Sequence, residues 1–333
     1  MPLPGRNGDM LWYRRYGLDL LSEVPFGTEV SAPASGGADL VVRYRNADPT
    51  GMTADLQGDL TGETLAELWN EAGKPAYTLV RDAGGYCLRV HRVADFVMDT
   101  EVSQLYCEPV SGAPPGLAEL LLQATVLAFV LTLRGRSVLH ASAVSVAGRV
   151  LAIAGPAGSG KSTLAALLCA GGAALVADDL ACIEHGSYVV GTGPGAELRL
   201  RPGSATVVEQ FSAPPLTEKT ADMRLAVRAP SAPDEAVPLA AVLFPVLYRG
   251  EGALRAERAQ HARAVVQLVR AARISGWRDL SQQRRFFNTV LELAQKVPTF
   301  FVHVPWASVP APLAPEVLLA ALDAAEGDGT GGR

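Results

Sequence analysis

The chain has 333 residues, enough for two domains or one large one, and for a buried core without disulfide or metal staples. Hydrophobic residues make up 49% and charged residues 19%, which excludes a disordered chain, and the formal net charge of -5 argues against a protein built to coat nucleic acid. The four cysteines, Cys87, Cys107, Cys169 and Cys182, form no CxxC pair or zinc spacing and read as free thiols of a reducing cytoplasm.

In chain order, no targeting signal stands out: the N-terminal arginines have no apolar run behind them. The first ~110 residues read as a β-rich domain, 1-110. Strands are predicted at Trp12–Leu21, Ala38–Tyr44, Tyr77–Arg81 and Tyr86–Arg92, with a hairpin turn at Asp82-Ala-Gly-Gly85 and a short helix over Glu63–Ala72. No catalytic spacing occurs there. The domain is expected to be structural or to recognise substrate, its strand edges offering a place for an extended peptide to pair.

A linker follows at Ser111–Gly116, where two prolines block regular structure. The run Leu120–Leu133 is shorter than the roughly 20 apolar residues that span a bilayer, and Gln123 and Thr125 interrupt it, so it reads as a buried helix with no membrane role. A strand over Ser137–Val146, a turn at Gly148 and a second strand over Val150–Ala154 lead straight into a glycine loop. Phe211–Pro238 is expected to be mostly loop, and Leu239–Tyr248 a buried strand that Pro245 shortens or places at an edge. Helix is expected over Arg258–Val297 with a break near Ser275-Gly276, and the tail from Glu326 is expected to be disordered.

Gly155-Pro-Ala-Gly-Ser-Gly-Lys-Ser162 satisfies GxxxxGK[ST] at every fixed position, between an apolar strand and a helical segment. Gly155, Gly158 and Gly160 let successive backbone N–H groups turn toward phosphate oxygens, and Ser159 and Thr163 belong to the same cradle. The helix that starts near Gly160 adds the positive end of its dipole. Lys161 reaches the β- and γ-phosphates, and the Ser162 hydroxyl sits on Mg²⁺. The expected ligands are therefore ATP and Mg²⁺.

Ala177-Asp178-Asp179 follows a short strand, Ala174–Ala177, that closes a βαβ unit, so a parallel crossover brings both carboxylates to the end of the sheet that carries the glycine loop. One carboxylate can hold the metal and the other accept a proton from an incoming hydroxyl. His140, in Leu139-His-Ala-Ser-Ala143, precedes the loop by one hairpin; a lone histidine in such a setting is more often a core residue than a catalytic one. His91, His185, His261 and His303 show no motif.

LHASAV, GPAGSGKS and VADD, in this order and spacing, resemble the catalytic domain of the HPr kinase/phosphorylase family, and more closely the HPr-kinase-like kinases of peptide serines, some of which act on lasso-peptide precursors. The resemblance covers Val138–Asp179 and extends to about residue 200 through Glu197-Leu-Arg199. It implies an α/β fold, a catalytic domain of the phosphoenolpyruvate-carboxykinase-like type over 117-310, with a smaller β-rich N-terminal domain and a C-terminal helix and tail over 311-333. It further implies proton handling by His140 and Asp178; Lys161, read from the glycine loop itself, is the third expected catalytic residue. Metal binding falls to Asp179 with Ser162, and Glu197 is a further candidate ligand. Arg199 is a candidate charge stabiliser, and Lys219 and Arg224 are candidates to close over the phosphates. The family's Gly-Leu-Gly after the Arg is absent here, where Leu200-Arg201-Pro202 follows, which sets HPr itself and the reverse reaction aside.

The expected function is transfer of the ATP γ-phosphoryl group to a serine of a peptide or protein in the cytoplasm, with no nucleic-acid partner and a homo-oligomer left open. A small-metabolite kinase on the same scaffold and a non-catalytic ATP-binding regulatory module are the alternatives.

Overall fold

The computed structural model describes residues 9–34, 36–45, 58–209, 211, 220–232, 235–248, 250, 252–305 and 312–328. They divide into two compact units, Met1–Gly135 with Ile274–Arg285, and Arg136–Arg273 with Phe286–Arg333. The protein is mixed α/β, with large sheets and few helices among the described residues.

The first unit holds β1 (Leu11–Arg15), β2 (Leu18–Ser22), β3 (Leu40–Tyr44), β4 (Glu63–Trp69), β5 (Pro75–Asp82), β6 (Gly85–Val90), β7 (Ala94–Met98) and β8 (Gln104–Pro109). They form one sheet of order β1-β2-β3-β8-β7-β6-β5-β4. The strand expected over Trp12–Leu21 is a hairpin, because Tyr16 and Gly17 both take positive φ, as a two-residue turn between right-twisted strands requires. The Asp82–Gly85 turn is present: Asp82 Oδ1 accepts the N–H groups of Gly84 and Gly85.

The helix expected over Glu63–Ala72 is instead strand β4, antiparallel to β5. Its residues favour helix locally, but Asn70 Oδ1 accepts the N–H groups of Ala72 and Lys74 and closes a hairpin, so pairing overrides propensity. The outer edge of β4 is not bare. Glu67 N–H donates to Gly276 O, and Leu65 O accepts from Arg278 N–H, so the chain itself occupies an edge that the sequence left open to a peptide.

The apolar helix runs as α1 (Leu117–Leu121), a π-helical stretch at Leu122–Val126, and α2 (Leu127–Leu133). It belongs to the first unit, so the boundary lies at Gly135 and not at the Ser111–Gly116 linker. The packing shows why: the Phe129 ring stands 5.3 Å from Tyr77 and 5.6 Å from Trp277. No helix among the described residues is long and apolar enough to cross a membrane.

The second unit begins with β9 (Ser137–Leu139), β10 (Ala141–Val146), β11 (Arg149–Ala154), α3 (Lys161–Ala170) and β12 (Ala174–Ala177). It continues through β13 (Ala181–Glu184), β14 (Tyr188–Val190), β15 (Glu197–Leu200), α4 (Ala205–Val208), β16 (Leu225–Arg228) and β17 (Ala236–Tyr248). It ends with β18 (Arg255–Arg258), α5 (His261–Arg270), α6 (Leu280–Lys296, whose first residues belong to the other unit), β19 (Thr299–Pro305) and α7 (Pro315–Asp328).

The main sheet runs β12-β10-β11-β17-β14-β13-β9, with β19 beside β17 and β18 beside β19. The strand expected over Ser137–Val146 is divided at His140, whose N–H donates to Ala271 O 2.7 Å away; β9 then pairs with β13 while β10 pairs with β11 and β12. Pro245 sits inside a long strand that pairs on both sides, yet it lies past Leu243, the last residue paired with β11.

Part of the expected 211–238 loop is strand: Leu225–Arg228 pairs with Glu197–Leu200 to form a two-stranded sheet. The helix expected over Arg258–Val297 is two helices, α5 and α6, separated by 271–279, and its first residue ends β18. Helix α7 runs to Asp328, past Glu326, where the sequence reads as tail. One apolar core, including Val144, Ile153, Leu164, Leu198, Leu243 and Phe300, underlies β11, α3 and the strands beside them.

Candidate functional site

β10 is antiparallel to both β11 and β12, so β11 and β12 point the same way with β10 between them. Ala143 is level with Ala152 of β11 and with Ala177 of β12. The segment after Ala154 and the segment after Ala177 therefore leave the sheet at the same end. That register brings the glycine-rich loop 155–160 and the Asp178-Asp179 pair together.

The loop has the backbone its glycines permit. Gly155, Gly158 and Gly160 have φ of 147°, 84° and 91°. At Gly160 the positive φ favours glycine, and a Cβ there would fall 2.6 Å from Leu247 Cδ1, so that side chain would have to move aside. The loop ends at the N-terminus of α3, where Gly160 caps without a side-chain bond, so the first N–H groups of α3 have no side-chain cap. The Ser159 hydroxyl is buried without a hydrogen-bond partner, an orphaned polar atom at the centre of the loop. Lys161 is only 5% exposed and folds back to donate to Pro156 O at 2.9 Å. Burial lowers its ammonium pKa to about 8, against the pull of Asp179 and Asp178; Arg201 and Arg224 lower it further.

Asp178 and Asp179 are adjacent, and their surroundings differ. Asp178 Oδ1 accepts the hydroxyls of Ser142 at 2.6 Å and Ser162 at 3.0 Å, while Oδ2 accepts the Arg199 N–H at 3.0 Å. Withdrawal from water, then the charge of Asp179, push its carboxyl above the usual carboxylate range. Asp179 takes a left-handed backbone, φ 67°, which turns its side chain the other way. Its Oδ1 lies 3.2 Å from His140 Nδ1, and its Oδ2 meets Arg199 at 3.1 Å and Arg273 at 3.2 Å. Burial alone would raise this carboxyl; the His140 hydrogen bond and the charges of Arg273 and Arg199 hold it well below the usual range. His140 Nδ1 also faces the Asp179 carbonyl at 3.1 Å. Both partners can only accept, so Nδ1 carries the proton and Nε2 remains the nitrogen for exchange.

The structure thus unites His140, Lys161, Ser162, Asp178, Asp179 and Arg199, which the sequence singled out. Thr163 Oγ1 faces Ser204 Oγ at 3.3 Å. Glu197 is exposed on β15, two residues before Arg199 and so on the same face of the strand. Arg224 pairs with Asp222 at 3.2 Å, and Asp222 also lies 3.7 Å from Arg199. Lys219 lies outside the described residues. Of the remaining histidines, His91 faces the Thr78 hydroxyl at 2.9 Å and His303 lies 3.8 Å from Glu257.

Three contributors were missed. Ser142 stands two positions from His140, which in the continuous strand expected over Ser137–Val146 would put both on one face, and that signal was readable. Arg273 and Ser204 carry no local signal, since 94 residues separate Arg273 from Asp179 and 41 separate Ser204 from Thr163.

Among the described residues no group of three or more His, Cys, Asp or Glu side chains gathers to hold a metal. The donors present, one serine hydroxyl beside one carboxylate, suit a hard cation that keeps most of its shell as water and phosphate oxygen. All four cysteines are free, and burial pushes each thiol up to about 12, which leaves them inert at neutral pH.

No protein-family model matches the chain, and no curated protein matches it. Among the solved structures that match, the Hpr(Ser) kinase/phosphatase from Coxiella burnetii aligns over 58% of this chain and 99% of its own with 13% identity and a TM-score of 0.22. A likeness of that size assigns neither fold nor activity.

Proposed function

We propose that the second unit binds ATP with Mg²⁺ at the P-loop 155–162 and transfers the γ-phosphoryl group to a serine hydroxyl of a peptide or protein. The observation that carries the reading is the contact of Ser162 with Asp178 at the foot of a glycine loop that holds a buried lysine and an orphaned serine hydroxyl. Such a loop presents N–H groups, one ammonium and a helix N-terminus to a polyanion, and nothing in an ordinary turn calls for that set. The motif order LHASAV, GPAGSGKS and VADD supports the serine acceptor.

Each residue then has a task. Lys161 leaves the Pro156 carbonyl for the β- and γ-phosphate oxygens. Ser162, donating its hydrogen to Asp178, would help hold Mg²⁺ through its hydroxyl oxygen, and the ion would supply neutralisation of phosphate charge. The acceptor serine oxygen bonds to the γ-phosphorus as the bond to the β–γ bridging oxygen breaks, ADP departs, and the serine proton passes to Asp178. A carboxyl raised by its surroundings is suited to hold that proton. The contacts of Asp179 favour an anchoring role over the metal-ligand role expected from the sequence: three cationic or donor groups already occupy its oxygens. By holding Arg199, Arg273 and His140 in one arrangement it keeps positive charge beside the transferring group, where preorganised charge is most effective.

The test uses the full chain, Mg²⁺, γ-labelled ATP and a flexible serine-containing peptide. The reading expects label on the peptide and none on its Ser→Ala counterpart. Label appearing only as free phosphate or on small hydroxylated metabolites would contradict the acceptor assignment, and an absence of turnover with any acceptor would contradict the kinase.

A further inference from the structure

We infer that Arg201, and not Arg199, is the arginine that grips the terminal phosphate of the bound nucleoside triphosphate, an inference that rests on the nucleotide-site reading above. Four arginines surround the site, and three are already committed. Arg199 spans Asp179 at 3.1 Å and Asp222 at 3.7 Å and gives its backbone N–H to Asp178. Arg273 is on Asp179, and Arg224 is on Asp222. Moving any of them toward a phosphate breaks an ion pair inside the protein.

Arg201 makes no ion pair or hydrogen bond through its guanidinium among the described residues, and it is exposed. Its guanidinium nonetheless lies over the loop: a Cβ built on Gly158 would stand 3.5 Å from Arg201 Nη1. The same proximity appears in the charge balance, since Arg201 is one of the two arginines that weaken the Lys161 ammonium. Two cations facing one loop repel each other, and a triphosphate converts that repulsion into attraction. The buried, unpartnered Ser159 hydroxyl, next to Gly158, marks the same spot as built for a ligand.

The backbone around Arg201 is fixed. Pro202 follows it and restricts its conformation to extended forms. Ser204 N–H donates to Arg201 O at 2.8 Å, closing a turn, and the Ser204 hydroxyl meets Thr163 on the first turn of α3 at 3.3 Å. The backbone from which the guanidinium reaches the loop is thereby set, and its planar fork can grip two oxygens of one phosphate.

The experiment is equilibrium titration of the full chain with Mg·ATP and with Mg·ADP, for wild type, Arg201→Ala, Arg201→Lys and Lys161→Ala, with circular dichroism as a check of folding. Losing a charge-assisted fork to a phosphate is expected to weaken ATP binding roughly 10- to 100-fold in Arg201→Ala, with ADP binding changed by less than about threefold and Arg201→Lys in between. Equal losses for ATP and ADP, or no loss for either while Lys161→Ala binds neither, would overturn the role of Arg201 and leave the nucleotide site standing. Failure of the wild-type protein to bind either nucleotide would overturn the nucleotide site and the role of Arg201 together.

Discussion

If the glycine loop binds a nucleotide as proposed, Lys161 makes that binding depend on pH in a way that ordinary charge screening does not. Its ammonium is lowered from 10.5 to about 8 because it is buried with only a backbone carbonyl to receive it. Phosphate oxygens in contact with it favour the charged form, so binding above pH 8 must first return a proton to the amine. Well beyond pH 8 each unit then costs about tenfold in affinity, and between pH 8, where half the amines still carry the proton, and pH 9.5 the loss is roughly fifteenfold, with the phosphates already fully ionised. The sign for stability is opposite. The folded value lies below the unfolded one, so the unfolded chain binds more protons between about 8 and 10.5, and the ligand-free protein gains stability as pH rises through that window. The assay is calorimetric titration with Mg·ATP at pH 7.5, 8.5 and 9.5 in buffers of differing ionisation enthalpy, beside a thermal melt of the free protein. Lys161→Arg, whose side chain stays charged throughout, is expected to bind with a flat profile. A flat profile for the wild type, or the same slope in Lys161→Arg, would refute the assignment of the proton to Lys161.

The two aspartates are expected to fail differently. Asp178→Asn should lower phosphoryl transfer by roughly 10²- to 10⁴-fold with Mg·ATP binding retained, and full turnover in this variant would remove Asp178 as proton acceptor. Asp179→Asn removes the buried carboxylate charge that Arg199 and Arg273 share and should lose about 3–5 kcal/mol in denaturant titration, the scale of a broken buried ion pair; an unchanged stability with a raised Mg²⁺ requirement would restore it as a metal ligand. For His140→Ala the expected fall in rate is roughly ten- to a thousandfold at unchanged ATP affinity, and a fully active variant would make His140 a core residue. In the first unit, Asp95→Ala leaves buried Arg89 without its bidentate partner, held at 2.8 and 2.7 Å, and should cost about 3–5 kcal/mol without touching nucleotide binding; a melting midpoint equal to wild type would show the pair to be dispensable.

The parts of the site that depend on short-range sequence were legible. Gly155 to Ser162 forms one continuous turn, and Asp178 follows a strand whose direction the intervening helix dictates, so neither needs distant information. His140 was placed on a continuous strand, yet it occupies a break, because the bond from its N–H to Ala271 O comes from 131 positions along the chain, a distance no local pattern carries. Arg273 and Ser204 were invisible for the same reason. Glu63–Trp69 failed in another way: its residues favour helix, and only the partners β5 and 276–278 make it a strand. The apolar helix was found, but its allegiance to the first unit depends on Tyr77 and Trp277, which lie on both sides of it in sequence.

The most direct test of the central claim is equilibrium binding of Mg·ATP to the full chain and to Lys161→Ala, read by titration calorimetry at pH 7.5 with circular dichroism alongside. The account predicts one site per chain in the wild type and at least about a tenfold weaker affinity in the variant, the scale of a lost charged hydrogen bond, with the two spectra superimposable. Equal affinity in both proteins, or no binding by the wild type, would contradict it.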